Sequence, residues 1–376
     1  VTRQLMSDVP VGSLLSGGVD STLVTQMMDR HMPSHPQSFC IGFRSHGQGS
    51  ENVAGERAAR ELGVPFTPTW VDDEDYLAAW PAAFAQVGEP IGNSGGLLVN
   101  LLCRCVARTH KVVLSGQGAD EPLGGYARHM AERMRHIGSL APRFSAWATE
   151  RLLGAGAGRR LARILRAEHR VDRYLEIFAV LEPEAIDALV PRGAPARELG
   201  RAAIQRWVGE PSGDDLNDLL RVDARLSLAD DLLTIADHFS MRASVELRVP
   251  FLDLEFLELA ERMPSSYKVS RIGERKWLYR EGAARYLPPT LSRRLCGIRA
   301  RLGRKTGFTV HLEPWFAAQG GALVDARGWL EPLARRGLVS PDVLGKLGAG
   351  VEQARSLQRE LLALYTLSRW METVPA

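Results

Sequence analysis

The chain has 376 residues, of which 45% are apolar and 24% charged, a composition typical of a globular protein large enough for two or three structural units. Its net charge of +3 is too small to indicate a nucleic-acid or membrane partner. No apolar stretch reaches the roughly 18 residues of a membrane span, no signal peptide is visible, and the four cysteines lack metal-ligand spacing. We therefore expect a reduced, cytoplasmic protein.

The first motif is S-G-G-V-D-S at residues 16–21. The residues before it are apolar and partly β-branched, which predicts a buried strand, and residues 22–30 carry apolar side chains at helical spacing. A strand, a glycine-bearing turn and a helix aim several backbone N–H groups and the positive end of the helix at one point. That point suits an anion, and phosphate in particular.

Each residue of this loop has a chemical reason to be there. Gly17 and Gly18 let the backbone approach a ligand without a Cβ in the way. Ser16 and Ser21 add hydroxyl donors, and Asp20 is a candidate ligand for a Mg²⁺ ion that bridges phosphate oxygens. No G-x-x-x-x-G-K-[ST] loop is present. The motif instead resembles the pyrophosphate loop of N-type ATP pyrophosphatases, which implies cleavage of ATP between its α and β phosphates.

Strand and helix patterns alternate over the first third of the chain. The strand candidates are Val11–Leu15, Ser38–Phe43, Phe66–Trp70 and Lys111–Ser115. Helical patterns separate them, notably at 51–62 and 97–108. This alternation predicts an α/β fold with a parallel, twisted sheet covered by helices on both faces. The strand ends at Ser16, Gly42 and Ser115 are then expected to converge on one site.

From about residue 130 the pattern becomes largely helical. We predict three parts: an α/β core at 1–130, a helical insertion at 131–215, and a helical part at 216–376 that completes the domain. Helical periodicity is clearest at 214–239 and 254–263, and Asp253 is placed to cap the second of these helices. Pro250 is expected to hold Val249 extended.

A second loop, L-S-G-Q-G-A-D-E at 114–121, resembles the first in that an apolar, β-branched strand pattern is followed by a flexible acidic turn. Ser115 and Gly116 stand at a strand end where they can meet a nucleotide. Asp120 is a second candidate Mg²⁺ ligand, and we expect it to face Asp20 across the cleft.

Four motifs in order carry a family resemblance: L-L-S-G-G-V-D-S, S-F-C-I-G-F at 38–43, L-S-G-Q-G-A-D-E, and E-L-R-V-P-F-L-D at 246–253. Together they resemble the C-terminal synthetase domain of asparagine synthetases over nearly the whole chain. The resemblance implies a PP-loop fold of the adenine-nucleotide α-hydrolase type, with ATP and Mg²⁺ as cofactors.

The resemblance also implies residue roles. The backbone at Leu14 and Ile41 would hold the adenine, and Ser115 and Gly116 would contact the nucleotide. The loop at 16–21 would cradle pyrophosphate. Asp20 and Asp120 would hold Mg²⁺. Lys276 matches a lysine that the family places against the phosphates, although by itself it looks like a solvated helix lysine.

Two departures from the family pattern concern the acceptor side. Asparagine synthetases often have Glu where this chain has Gln117, a position linked to forming the acyl-adenylate and handling ammonia. An amide donates and accepts hydrogen bonds but cannot act as a general base. Near Asn93 the family usually has an acid. Both changes leave the ATP site intact and put the acceptor substrate in question.

The implied activity is an ATP-dependent, amide-forming ligase that adenylates a carboxylate, most directly the β-carboxylate of aspartate, and transfers ammonia or glutamine-derived nitrogen. The N-terminal glutaminase domain of the family is not within these residues, so we expect it in cis or in trans. Aspartate and ammonia or glutamine are the expected small-molecule partners, and a homodimer is a candidate assembly.

Several alternatives stay open. The same adenylation serves β-lactam synthetases and lasso-peptide cyclases, in which an internal amine attacks. A tRNA-thiolating enzyme would leave E-L-R-V-P-F-L-D unexplained. G-N-S-G-G at 92–96 matches a serine-hydrolase elbow at Ser94 but lacks the preceding strand. A degenerate homologue that only binds nucleotide is the non-enzymatic alternative, and Gln117 is the hint for it.

Overall fold

The computed structural model describes residues 1–84, 88–90, 92–93, 95–135, 162–164, 166–179, 196–302, 332–339 and 358–373. Ser94 of the hydrolase-like motif lies outside these residues, as does much of the predicted insertion at 131–215. None of the helices in the described ranges is long and apolar enough to cross a membrane.

Five strands and sixteen α-helices are described. The strands are β1 Val11–Leu14, β2 Ser38–Phe43, β3 Phe66–Val71, β4 Val112–Leu114 and β5 Glu246–Arg248. The helices up to residue 208 are α1 Val19–His31, α2 Glu51–Leu62, α3 Asp73–Phe84, α4 Gly95–Val106, α5 Asp120–Leu123, α6 Ala127–Met134, α7 Arg170–Phe178 and α8 Ala196–Val208. The later helices are α9 Asp215–Asp223, α10 Thr234–Met241, α11 Leu254–Arg262, α12 Ser265–Lys268, α13 Trp277–Ala283, α14 Pro289–Cys296, α15 Ile298–Leu302 and α16 Gln358–Thr373.

Three short 3₁₀ segments and one π-helix complete the described elements. The 3₁₀ segments are Thr2–Gln4, Arg44–Gly49 and Pro250–Leu252. The π-helix, Ala224–Leu233, joins α9 to α10 without a break.

The strands form one parallel sheet in the order β3-β2-β1-β4-β5. The strand order therefore reverses direction beside β1, the first strand in the sequence. Ligands of open parallel sheets bind outside the carboxyl ends of the strands at such a switch point. The loops that follow β1 and β4 flank this point, so the fold brings the two predicted motifs to the same edge.

The apolar runs of the central strands reflect burial on both sides. Every residue of β2 and β4 is buried, as expected for a parallel sheet with helices over both faces. One cluster contains Leu15, Val19 and Ala58, so the residue that follows β1 shares a core with α1 and α2. Helices α4 and α10 pack closely, since a Cβ at Gly96 would lie 2.4 Å from the Phe239 ring.

The predicted α/β sheet is confirmed, and the strand candidates match β1 to β4 to within one residue at each end. The predicted cap also occurs, because the Asp253 carboxylate accepts a hydrogen bond from Glu255 N at 3.2 Å at the start of α11. The sequence did not indicate β5. Its three residues include a single apolar side chain, too short a pattern to predict a strand.

The chain divides into two compact units. The first contains Val1–Tyr76, Gly95–Met134 and Pro211–Thr309, and it includes the whole sheet. The second contains Leu77–Ser94, Arg135–Glu210 and Val310–Ala376. Within the second unit, Glu176 of α7 pairs with Arg163 at 2.8 Å. The three-part division at residues 130 and 215 stays a prediction.

Candidate active site

The loop after β1 is shaped by backbone contacts. Gly17 has a φ of 77°, in the left-handed region, and a Cβ there would lie 2.4 Å from the Ala54 carbonyl oxygen. Ser16 Oγ and Ser21 Oγ share a hydrogen bond of 3.1 Å. The N-cap of α1 is Gly18, which has no side chain to cap the helix. The first N–H groups of a thirteen-residue helix are thus left for an anion.

The loop after β4 is anchored by β5. Ser115 N donates to the Arg248 carbonyl oxygen at 2.8 Å, and Gln117 N donates to Ser115 Oγ at 3.2 Å. A Cβ on Gly116 would lie 2.5 Å from Ser21 N. The two loops therefore touch backbone to backbone, and only glycine at residue 116 permits the contact.

Asp20 and Asp120 meet at a single lysine. Lys276 Nζ lies 2.8 Å from Asp20 Oδ2 and 2.8 Å from Asp120 Oδ1. The Lys276 side chain is only 2% exposed, so the reading of a solvated helix lysine is wrong. The three charges come from three separate stretches of sequence and form one cluster at the switch point of the sheet.

The electrostatics of the cluster keep the lysine charged. Burial by itself would lower the pKa of Lys276, but the charges and hydrogen bonds of Asp120 and Asp20 outweigh burial and raise the pKa above its ordinary value. Tyr279, one helical turn after Lys276, is buried beside the Asp20 carboxylate. Burial, together with the Asp20 charge, raises the pKa of its phenol well above the usual range.

Gly125 makes the close approach of the cluster possible. A Cβ at this residue would lie 1.8 Å from Asp120 Oδ1 and 2.6 Å from Lys276 Cε. Gly125 N donates to the Asp120 carbonyl oxygen at 2.8 Å, and its own carbonyl accepts from Arg275 Nη1 at 3.3 Å. The turn after α5 is therefore hydrogen-bonded to the Asp120 backbone and leaves space for the Lys276 side chain beside the Asp120 carboxylate.

A buried polar network supports α5 from the other side. Tyr126 donates from its hydroxyl to Glu121 Oε1 at 2.5 Å, and burial raises the pKa of Glu121. His129 Nδ1 accepts from Tyr126 N, so the ring proton is on Nε2, which donates to Asp223 at 2.6 Å. Burial lowers the pKa of His129, and Arg128 binds Asp223 through two nitrogens. The network fixes the helix that carries Asp120.

Three of the remaining predicted residues, Leu14, Ile41 and Gln117, belong to the sheet or to the loop that follows β4. Leu14 ends β1 opposite Phe39, which puts Ile41 two residues further along β2, beyond the end of β1. Gln117 donates from Nε2 to the Leu232 carbonyl of the π-helix at 3.0 Å. π-Helices occur mostly as short insertions, often at functional sites. Asn93 belongs to the second unit.

Sequence reasoning missed several residues of the site. Tyr279 stands three residues after Lys276, on the same helix face, and that spacing is a usable signal. Gly125 is part of the G-G-Y run that follows the second loop. Asp223 had no local signal, because its partners His129 and Arg128 are more than ninety positions away.

A family model described as asparagine synthase matches residues 1–372. A glutamine-hydrolysing asparagine synthetase 1 from Bacillus subtilis (strain 168) is 29% identical over 323 residues, which cover 84% of this chain and 48% of the relative. A putative glutamine-hydrolysing asparagine synthetase from Mycobacterium tuberculosis (strain H37Rv) is 29% identical over 332 residues, with coverages of 85% and 47%.

A more distant relative carries a different name. The amidase chyE from Penicillium rubens is 24% identical over 318 residues, 73% of this chain and 46% of the relative. The chain thus spans about half the length of the curated relatives it matches.

Proposed function

This chain belongs to the asparagine synthase family, and from that premise we propose that it is an ATP-dependent carbon–nitrogen ligase. In the proposed reaction a carboxylate oxygen attacks the α-phosphorus of ATP, the bond to the bridging oxygen breaks, and an acyl-adenylate and pyrophosphate form. Ammonia then attacks the acyl carbon, the bond to AMP breaks, and one proton goes to water. The proposed carboxylate is the β-carboxylate of aspartate.

Nucleotide binding is proposed at the carboxyl edge of β1, β2 and β4. The backbone at Leu14 and Ile41 would hold the adenine, and Ser115 and Gly116 would contact the rest of the nucleoside. Support comes from the strand order, which places these residues beside the switch point. Support also comes from Gly116, whose backbone packs directly on the pyrophosphate loop.

Pyrophosphate is proposed to leave against the loop at 16–21 and Lys276. The N–H groups in the first turn of α1 are donors that are in place before the reaction begins, whereas the Ser16 and Ser21 hydroxyls are bonded to each other at 3.1 Å and would turn to the phosphates on binding. Lys276 supplies a buried positive charge. Such preorganised groups stabilise charge that develops on the departing oxygens without having to reorganise.

The residues present fit a Mg²⁺ site at Asp20 and Asp120. Both offer carboxylate oxygens at one place, and among the residues that the structure describes Asp20 Oδ1 is buried with no hydrogen-bond partner. When bound, the ion would neutralise negative charge on the phosphate oxygens. The two carboxylates also hold Lys276 in position. Neither of them takes part in the acyl transfer itself.

The nitrogen donor is proposed to be ammonia, either free or released from glutamine by a glutaminase domain in cis or in trans. Gln117 favours a second candidate, in which an amine of the substrate itself attacks, as in β-lactam synthetases or lasso-peptide cyclases. Its amide is committed to the Leu232 carbonyl and cannot take a proton from the nucleophile. Gln117 itself therefore cannot serve as a general base for the incoming nitrogen.

The single observation that carries the proposal is the contact of Lys276 with both Asp20 and Asp120 where the two loops meet. The test is ATP–pyrophosphate exchange with a panel of carboxylic acids, followed by product analysis with ammonium. Exchange that depends on aspartate, with asparagine as product, supports the first candidate. A cyclised product without added ammonia supports the second, and absence of exchange with every acid refutes both.

A further inference from the structure

A buried ammonium group fills the space between the two acidic side chains of the site. Lys276 Nζ makes one 2.8 Å contact to each carboxylate, and the lysine side chain is 2% exposed. The ammonium group therefore stands where a cation shared by Asp20 and Asp120 would have to be. A second cation cannot enter the same space while the lysine stays there, because like charges at this separation repel strongly in a buried site.

The protein offers few ligands to a metal at this place. Within the described ranges, no group of three or more His, Cys, Asp or Glu side chains is arranged to hold a metal ion. Mg²⁺ keeps six oxygen ligands and is usually bound through one or two carboxylates together with substrate phosphates. Asp20 and Asp120 alone thus leave most of its coordination to water or to a nucleotide.

The backbone sets the lysine into this position. Lys276 has a φ of 53°, in the left-handed region that a side chain with a Cβ rarely adopts. Gly125 gives it room, since a Cβ there would lie 2.6 Å from Lys276 Cε. A strained backbone of this kind persists only where surrounding contacts compensate for it, and the two ion pairs are those contacts.

We propose that Lys276 is the resident cation of the Asp20–Asp120 site in the nucleotide-free protein, and that a divalent ion enters only together with phosphates that draw the ammonium group away. This deepens the proposed function and rests on it for the identity of the phosphates as those of ATP. A lysine suits the role, since its compact charge on a flexible stem can exchange carboxylate partners for phosphate oxygens. The consequence is weak binding of a divalent ion in the absence of nucleotide.

The test measures Mn²⁺ binding to the nucleotide-free protein, with the free ion followed by electron paramagnetic resonance. Lys276→Met is expected to bind Mn²⁺ about tenfold or more tightly than the wild type, because two charged hydrogen bonds no longer compete. Lys268→Met is the matched control, since Lys268 is also buried but contacts the neutral Asn217 amide. This control should bind as the wild type does. Adding Asp120→Asn to Lys276→Met should abolish the gain.

Removal of the lysine leaves the buried Asp120 and the partly buried Asp20 carboxylates uncompensated and can destabilise the fold. Lys276→Gln and the melting temperature provide the second readout. Mn²⁺ should raise the melting temperature of either Lys276 variant and leave that of the wild type unchanged. Tight Mn²⁺ binding by the nucleotide-free wild type overturns the proposal, as do Lys276 variants that gain neither affinity nor a Mn²⁺-dependent shift. Failure of pyrophosphate exchange in the wild type would refute the proposed function while leaving this comparison to be judged on Mn²⁺ alone.

Discussion

Two lysines of the first unit are almost equally buried, and their surroundings give them opposite properties. Lys276 is 2% exposed and lies between two carboxylates, whereas Lys268 is 3% exposed and its Nζ donates to Asn217 Oδ1 at 2.8 Å. The carboxylates raise the pKa of Lys276. Burial lowers the pKa of Lys268 to about 8, although the more distant charges of Asp214 and Glu261 act in the other direction.

The difference shows that the partner, rather than the depth of burial, decides what a buried lysine can do. A buried ammonium group keeps its charge when carboxylates contact it and tends to lose it when an amide does. We call Lys268 together with Asn217, Asp214 and Ser265 the Lys268 region. It joins α9 to α12, because Asp214 accepts hydrogen bonds from Asn217 N and Ser265 N. The Lys276 region, which consists of Lys276, Asp20 and Asp120, contains a positive charge at the place where an anion is expected to bind. We interpret the first as a structural junction and the second as chemical machinery.

The largest expected effect comes from removing one carboxylate of the Lys276 region. Asp20→Ala should lower ATP–pyrophosphate exchange by about a thousandfold or more, because the proposed Mg²⁺ site loses one of its two carboxylates and charge on the phosphates would no longer be neutralised there. Asp29→Ala, on the same helix but paired with His35, should keep normal exchange. Exchange retained by Asp20→Ala within tenfold of the wild type would contradict the role assigned to this residue.

The Lys268 region should be visible in stability and silent in exchange. The folded chain releases the Lys268 proton near pH 8, and the unfolded chain releases it near the ordinary value of 10.5. The unfolded chain thus binds more protons between these values, so the free energy of unfolding should rise with pH from 8 to 10.5. Lys276 has the opposite sign: its contribution is complete below pH 10.5 and is lost as the pH rises through its higher folded pKa.

Lys268→Met isolates this contribution. At pH 7 the variant should be more stable than the wild type by up to roughly 3 kcal/mol, and the difference should narrow by pH 10.5. Denaturant unfolding at a series of pH values measures it. Lys111→Met, at an exposed lysine, is the matched control for the loss of a lysine. A stability difference for Lys268→Met that stays constant between pH 7 and 10.5 would show that Lys268 does not titrate in this range.

A smaller loss is expected where the backbone makes room for the charge cluster. In Gly125→Ala the new methyl group would have to displace Asp120 Oδ1, which lies 1.8 Å from the Cβ position, and Lys276 Cε. We expect exchange to fall about thirtyfold, because a misplacement of this size weakens positioning. Gly282→Ala, on the helix that follows Lys276, has open space at its Cβ and should exchange normally. Equal activity of the two alanine variants would show that the approach at Gly125 is not needed.

The comparison also separates what the sequence could reveal from what it could not. Both loops were predictable because their residues are contiguous and each follows an apolar strand. The contact of Lys276 with Asp20 joins residues 256 positions apart, and no local pattern indicates it. Family resemblance placed the lysine at the phosphates, but its burial between the carboxylates and the need for Gly125 appear only in three dimensions. Strand β5 was missed because three residues with charged ends carry no periodicity.

The smallest expected effect distinguishes two tyrosines, one in each region. The Tyr279 hydroxyl is buried beside Asp20 and makes no hydrogen bond of ordinary geometry within the described part of the chain, so Tyr279→Phe should leave the melting temperature unchanged or slightly higher. Its ring packs against Phe251 and is retained by the substitution. Because a nearby hydroxyl favours the charged carboxylate, we expect exchange to fall about fivefold, equivalent to about 1 kcal/mol.

Tyr267 is the matched residue near Lys268. It stacks on Trp277 with an angle of 6° between the rings and is 45% exposed. Tyr267→Phe should change neither stability nor exchange, because the residue is nearly half exposed and the substitution keeps the ring that stacks on Trp277. If Tyr279→Phe also left exchange unchanged, only the three charged groups Lys276, Asp20 and Asp120 of this region would contribute to pyrophosphate exchange. A fivefold loss confined to Tyr279→Phe would instead show that Tyr279, one turn further along α13, also contributes to pyrophosphate exchange, and that the Lys268 region does not.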